Sequence, residues 1–118
     1  MSAKDALGRQ GEQLAAEHLA RSGLKILDRN WRCPEGELDI VAADGRALVI
    51  CEVKTRSDTR YGTPLEAISA RKHARLRRLA IRWVVAHAVL YDEIRIDVVA
   101  VLRTGPGEFS IDHVRGVG

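Results

Sequence analysis

The sequence predicts an α/β fold, or the closely related α+β arrangement, in which a central mixed sheet of about five strands is flanked by helices in the order αβββαββ. Three observations carry this. Residues 3–22 place Leu7, Leu14, Ala15, Ala16 and Leu19 at helical spacing. Asp44-Gly45 separates two β-rich runs, the strongest short-range signal for a hairpin. Residues 65–88 form a second helical stretch, basic in its first half and apolar in its second, with two more β-rich runs after it.

Taken in order, Ser22-Gly23 stops the first helix. Residues 24–31 read as a strand with Leu24, Ile26 and Asp28 on one face, and Pro34-Glu35-Gly36 as a turn. Residues 37–43 and 46–55 form the hairpin arms, and residues 57–64 a polar loop. Beyond the second helix, residues 93–102 and 108–114 are strands around a turn at residues 104–107. No repeat, low-complexity run or linker divides the chain, so residues 1–118 are expected to form one domain.

A chain of 118 residues with 46% hydrophobic and 30% charged side chains can build a core without staples. Its net charge of +3 says little by itself about partners; the distribution of charge says more. Cys33 and Cys51 lack metal-ligand or disulfide spacing, which fits a reducing compartment. The N-terminus has no apolar signal region, and residues 83–91 are too short to span a bilayer. The expectation is a cytoplasmic protein without membrane association.

The chemistry is concentrated on the hairpin. Strand alternation puts Leu48, Ile50, Glu52 and Lys54 on one side. With Asp44-Gly45 as a two-residue turn, Asp39 opposes Ile50, diagonal to Glu52, and Glu37 lies directly opposite Glu52. Carboxylates crowded on an apolar sheet need compensation, and a hard divalent cation, Mg²⁺ or Mn²⁺, supplies it. Asp39 and Glu52 would hold the ion with the Val53 carbonyl, and Lys54 would orient a water or stabilise the transition state. Glu12 shares a helical stripe with Ala15, Ala16 and Leu19, and Gly8 and Gly11 would let that helix approach the sheet. Each signal has a plainer reading: Glu-Val-Lys as a cross-strand ion pair, Glu12 as a first-turn helix acid. Their convergence favours a site.

Arg71, Lys72, Arg75, Arg77, Arg78 and Arg82 form a basic run with no acid between Glu66 and Asp92. Alone, such a run is a solvated face; beside a carboxylate site it reads as a phosphate track, extended by Arg56 and Arg60. Trp31 and Trp83 read as core or groove wall, with stacking on an unpaired base as the alternative. Asp97 reads either as support for the site or as a structural acid. The four histidines show no ligand spacing, and no Gly-rich phosphate loop is present, so no nucleotide cofactor is expected.

The runs GRQGEQLAAEHL, RNWRCPEGELDIVA, VICEVKTRSDTRYGTPLEAISARKHARLRRLA and IRIDVVAV together resemble the YraN-like family of small bacterial proteins classed as candidate endonucleases. That family is similar to the PD-(D/E)xK nucleases, with a restriction-endonuclease-like or Holliday-junction-resolvase-like fold. The resemblance implies that Asp39 is the motif aspartate, Glu52 and Lys54 its ExK part, and Glu12 the helix glutamate of the resolvase-like branch. It also matches Glu37 and Lys72 to family positions, the latter facing phosphate. It implies Mg²⁺ or Mn²⁺ as cofactor, nucleic acid (DNA, branched or single-stranded) as partner, and a homodimer as the resolvase-like assembly. Cys51 departs from the usual aliphatic or aromatic residue, and alternation turns it away from Glu52. The competing expectations are a nucleic-acid-binding module of the same fold without turnover, and a protein-interaction domain that meets an acidic partner through its basic helix.

Overall fold

The computed structural model describes residues 2–57 and 68–118. Among these, helices α1 (Ala3–Arg21) and α2 (Ala70–His87) cover a five-stranded sheet of β1 (Lys25–Cys33), β2 (Gly36–Asp44), β3 (Ala47–Arg56), β4 (Glu93–Gly105) and β5 (Glu108–Val114). The strands lie in sequence order. β1, β2 and β3 form an antiparallel meander, β4 pairs parallel to β3, and β5 returns antiparallel along β4. A parallel pair requires a crossover, and α2 provides it. The expected order αβββαββ and the mixed sheet are both present.

Each sheet face is closed by one helix. Ala15, Ala16 and Leu19 of α1 pack on Ile40, Ala42, Val49, Cys51, Val99 and Val101. Leu76, Leu79, Ala80 and Trp83 of α2 pack on Leu38, Val41, Leu48, Ile50, Ile96 and Val98. β3 is covered on both faces, and that is why its sequence is apolar without alternation from Ala47 to Cys51. Cys51 faces α1, as alternation predicts, and Cys33 and Cys51 are both free thiols. Among the described residues, no helix is long and apolar enough to cross a membrane.

The expected boundaries need several corrections. α2 begins at Ala70, not at residue 65. Ser69 is its N-cap and accepts the Lys72 N–H at 3.1 Å, while residues 65–67 and most of the expected polar loop lie outside the described residues. β1 runs on to Cys33, and its register shifts between Ile26 and Asp28. That irregularity turns Asp28 away from the face of Leu24 and Ile26, so that it accepts the Trp83 Nε1–H of α2 at 2.9 Å. β4 continues through Gly105, confining the turn before β5 to Pro106-Gly107.

Asp97 is the acid that the sequence left between two roles, and it is structural. It is fully buried on β4, where Arg95 donates through Nε and Nη2 at 2.9 and 3.1 Å, His113 Nε2 lies at 2.8 Å, and the Gly116 N–H donates at 2.9 Å. Burial alone would raise its pKa; the Arg95, Gly116 and His113 contacts outweigh burial and hold it below the ordinary carboxylate value. The same contacts bring the chain end back, so that the Val117 N–H reaches Ile96 O at 2.9 Å and its side chain joins the α2 core.

A group with a lowered folded-state pKa contributes stability above its unfolded value and loses it as pH falls through the folded value. Asp97→Asn removes the charge that Arg95 and His113 face, and is expected to cost about 3–5 kcal/mol in urea unfolding near pH 7. The gap should shrink on acidification through the carboxylate range. An equal cost at about pH 3 and about pH 7 would show that packing, not charge, makes Asp97 matter.

Candidate active site

The site begins where β2 parts from β3. Their pairs run from Asp44–Ala47 at the turn to Ile40–Cys51. Gly45-Arg46 therefore forms the two-residue turn, one position later than expected, and continuing the register sets Asp39 opposite Glu52 rather than Ile50. A change of two in the partner leaves the face unchanged because side chains alternate with period two. At Asp39 that alternation breaks: Leu38 packs in the α2 core and Ile40 in the α1 core. The Asp39 carboxylate occupies this fork, where its Oδ2 accepts the Val53 N–H at 2.9 Å.

Glu37 does not stand opposite Glu52 as expected. The continued register places it across from Lys54, and its carboxylate turns to β1, where Arg32 Nε lies at 2.7 Å. It still repels Asp39. Burial, then Glu52, raises the Asp39 pKa from the ordinary 3.8 to about 7; Glu12 and Glu37 add to the rise, and the Val53 N–H opposes it.

Glu52 is held by two ammonium groups. Lys72 Nζ of α2 lies at 2.6 Å and Lys54 Nζ at 3.4 Å from the same oxygen, Oε1. Lys72 was expected to face phosphate; its amine instead folds inward, because the α2 N-terminus sits over the carboxylate. The two amines diverge in character. Burial, then contact with Lys72, lowers the pKa of Lys54 despite the attraction of Glu52. Burial also opposes the charge on Lys72, but hydrogen bonds to Glu52 and Lys54 outweigh it and raise its pKa. Lys72 is thus the fixed cation, and Lys54 the amine that more readily gives up a proton.

Glu12 approaches from α1. The helix can come this close because residue 11 is glycine: a Cβ there would collide with the Thr55 side chain, one residue beyond Lys54. Gly8 has open space around it and does not serve the approach. Glu12, Asp39, Val53 and Lys54 line one hollow of about 270 Å³. Oε1 of Glu12 is buried without a hydrogen-bond partner among the described residues, a costly state for an acceptor. Among the described residues no group of three or more carboxylate, imidazole or thiol side chains already stands together as a metal cage. Glu52 is drawn to Lys72, while Asp39 and Glu12 share the hollow. Even so, a buried acceptor without a donor beside a desolvated carboxylate is a donor set suited to a hard cation.

Of the expected phosphate contacts, Arg71, Arg75 and Arg78 are exposed along α2. Arg77 donates to Ile94 O at 3.1 Å and Arg82 pairs with Glu35 at 2.9 Å. Arg56 is exposed beside the hollow, and Arg60 lies outside the described residues. A larger open cleft of about 930 Å³ runs from Glu12 and Glu37 past Lys4, Arg9, Arg29 and Arg32. These four bases escaped sequence reading because they are scattered over α1 and β1 and converge only when the helix docks.

A carboxyl whose folded-state pKa exceeds its unfolded value favours the fold fully below the unfolded value, and this advantage is lost as pH rises through the folded one. For Asp39 that window runs from 3.8 to about 7. Asp39→Asn keeps an acceptor for the Val53 N–H and should raise stability at about pH 8 by on the order of 1 kcal/mol, converging with wild type below about pH 4. A destabilised variant at about pH 8 in thermal unfolding would contradict the strained carboxylate.

Residues 11–101, which contain Glu12, Asp39, Glu52, Lys54 and Lys72, match the model of the uncharacterised protein family UPF0102. A UPF0102 protein of Frankia casuarinae is 58% identical over 116 residues, covering 98% of both chains. One of Beutenbergia cavernae is 56% identical over 118 residues and the full length of both. Another, of a Nocardioides species, is 56% identical over 115 residues, 98% of this chain and 93% of its own. Their names carry no activity, and this chain belongs to the UPF0102 family.

Proposed function

We propose that this protein is a divalent-metal-dependent phosphodiesterase acting on nucleic acid, with DNA as the first substrate to test. In this reading the fold is restriction-endonuclease-like, and Asp39, Glu52 and Lys54 are the acidic pair and lysine of a PD-(D/E)xK site. The observation that carries it is the pairing of Asp39, pushed up to about 7, with the buried oxygen of Glu12 that has no partner among the described residues, in one hollow. Nothing about folding calls for that expense, and functional sites are where such cost is retained.

Asp39 and Glu12 would hold Mg²⁺ or Mn²⁺, with Glu52 and the Val53 carbonyl at the side of Lys54. Bound there, the cation supplies Lewis acidity and neutralises charge on the phosphate. Lys54 borders the same hollow, and its lowered pKa suits an amine that positions the attacking water and takes or gives a proton. Lys72 holds Glu52 in register rather than touching substrate. Arg71, Arg75 and Arg78 offer exposed guanidinium groups to phosphates.

One observation favours a second reading, a binding module of the same fold without turnover. Lys72 already neutralises Glu52 at 2.6 Å, so the acid is satisfied without a metal. Cleavage separates the two. Wild-type protein should cut at least one of a panel of linear, branched and single-stranded DNAs with Mg²⁺ or Mn²⁺, and EDTA should abolish it. Asp39→Ala, Glu52→Ala and Lys54→Ala should each reduce the rate at least about 100-fold with the fold intact by circular dichroism. Nucleic-acid binding without any cut supports the module; cutting that survives Asp39→Ala rejects this site.

A further inference from the structure

The exposed side of α2 joins the arginines already assigned to phosphate to a second feature that the site does not use. Arg71, Arg75, Arg78 and Arg82 are spaced by four, three and four residues, so they form one stripe along the helix. The stripe runs into an apolar groove of about 470 Å³ between α2 and edge strand β1, lined by Trp31, Cys33, Ile81, Arg82, Val85 and Ala86. Ile81 is 55% and Val85 74% exposed, which is much for aliphatic side chains on adjacent turns.

The aromatic side chain lining the groove is Trp31, and it abuts a fixed Trp83–His87 stack. Trp83 is buried and anchored by its Nε1–H on Asp28, and His87 stacks on it with ring centroids 4.0 Å apart and planes 20° apart. Trp31 meets His87 edge-on at 6.4 Å. The nearby acid Glu35 is neutralised by Arg82 at 2.9 Å and accepts the Cys33 thiol at 3.2 Å. A flat, uncharged π-face fits such a place, with a neighbouring phosphate meeting Arg78.

From these features we infer that the groove binds an unpaired base of single-stranded nucleic acid, whose phosphates follow the arginine stripe along α2. A second copy of the chain fits less well, because a two-fold contact here would bring one arginine stripe against another. Lys72, which touches Glu52, and Val85 are separated along the helix by roughly 20 Å, so a few nucleotides link groove and site. The inference rests on the phosphodiesterase reading for what lies at the far end of the track; the binding itself does not need it.

The test uses the full chain in EDTA, so that no cutting occurs, and reads tryptophan fluorescence. The chain has two tryptophans, and Trp83 is only 3% exposed, so a quench reports on Trp31. The probes are a short poly-dT strand, an abasic strand of equal length and a blunt duplex of equal length. Poly-dT should quench and bind about tenfold more tightly than the abasic strand, and more tightly than the duplex. The double variant Ile81→Ser with Val85→Ser changes exposed side chains, and should lose the preference for bases while keeping abasic affinity within about twofold. Arg75→Ser with Arg78→Ser should weaken both strands and lower the salt slope by about 2. Equal binding of poly-dT and abasic strand, a base preference that survives Ile81→Ser with Val85→Ser, or a dimer abolished by that double variant would overturn the inference. Base preference without metal-dependent cleavage would remove the catalytic reading and leave this one standing; cleavage without base preference would do the reverse.

Discussion

The fork between β2 and β3 governs the rest of the molecule. Were the ladder to continue past Ile40 and Cys51, Asp39 would be one more strand residue opposite Glu52. Instead its carboxylate replaces a main-chain carbonyl as acceptor for the Val53 N–H, within the plane of the sheet. A buried N–H needs a partner, so the substitution is stable, but it leaves an acid between two apolar layers. Glu12 reaches it from the α1 side; Glu52, Lys54 and Lys72 converge on the α2 side. Each helix is placed by its own core, so the site is as rigid as the two layers that hold it.

Charge is distributed unevenly across this fork. Around Glu52 two cations meet one anion, and the group is satisfied. Around Asp39 and Glu12 the balance is reversed: one carboxyl resists ionisation and the other has a buried oxygen without a donor among the described residues. The buried cluster of Asp97, Arg95, His113 and the Gly116 N–H shows what this chain does with an acid whose role is structural. There every Asp97 contact is complementary. The contrast within one sheet supports the proposal that the deficit at Asp39 serves binding rather than folding.

Much of this was legible in the sequence, because its strongest signals are local and periodic. The α1 stripe, the β-rich runs and the hairpin dipeptide gave the order of elements. The closeness of Asp39 to Glu52 followed even from a turn misplaced by one residue, but the break in alternation at Asp39 turns its carboxylate into the fork rather than onto the face of Glu52. What failed depended on contacts far apart in sequence. Glu37 turns to Arg32 on the neighbouring strand, and the β1 irregularity carries Asp28 over to Trp83. Lys72 looked like its arginine neighbours, and only the seat of α2 over β3 reveals that it points at Glu52. A close approach of helix to sheet was readable from the glycines, but not which one allows it, because both Gly8 and Gly11 are glycines and only Gly11 faces Thr55.

The proposal that a single cation binds between the α1 acid and the two strands can be tested directly. Substoichiometric Mn²⁺ added to isotope-labelled protein broadens the amide signals of residues around the ion. The account requires selective loss at Glu12, Asp39, Val53 and Lys54, abolished by Asp39→Ala. Broadening spread over exposed acids such as Glu17 and Asp112, with the fork untouched, would contradict it.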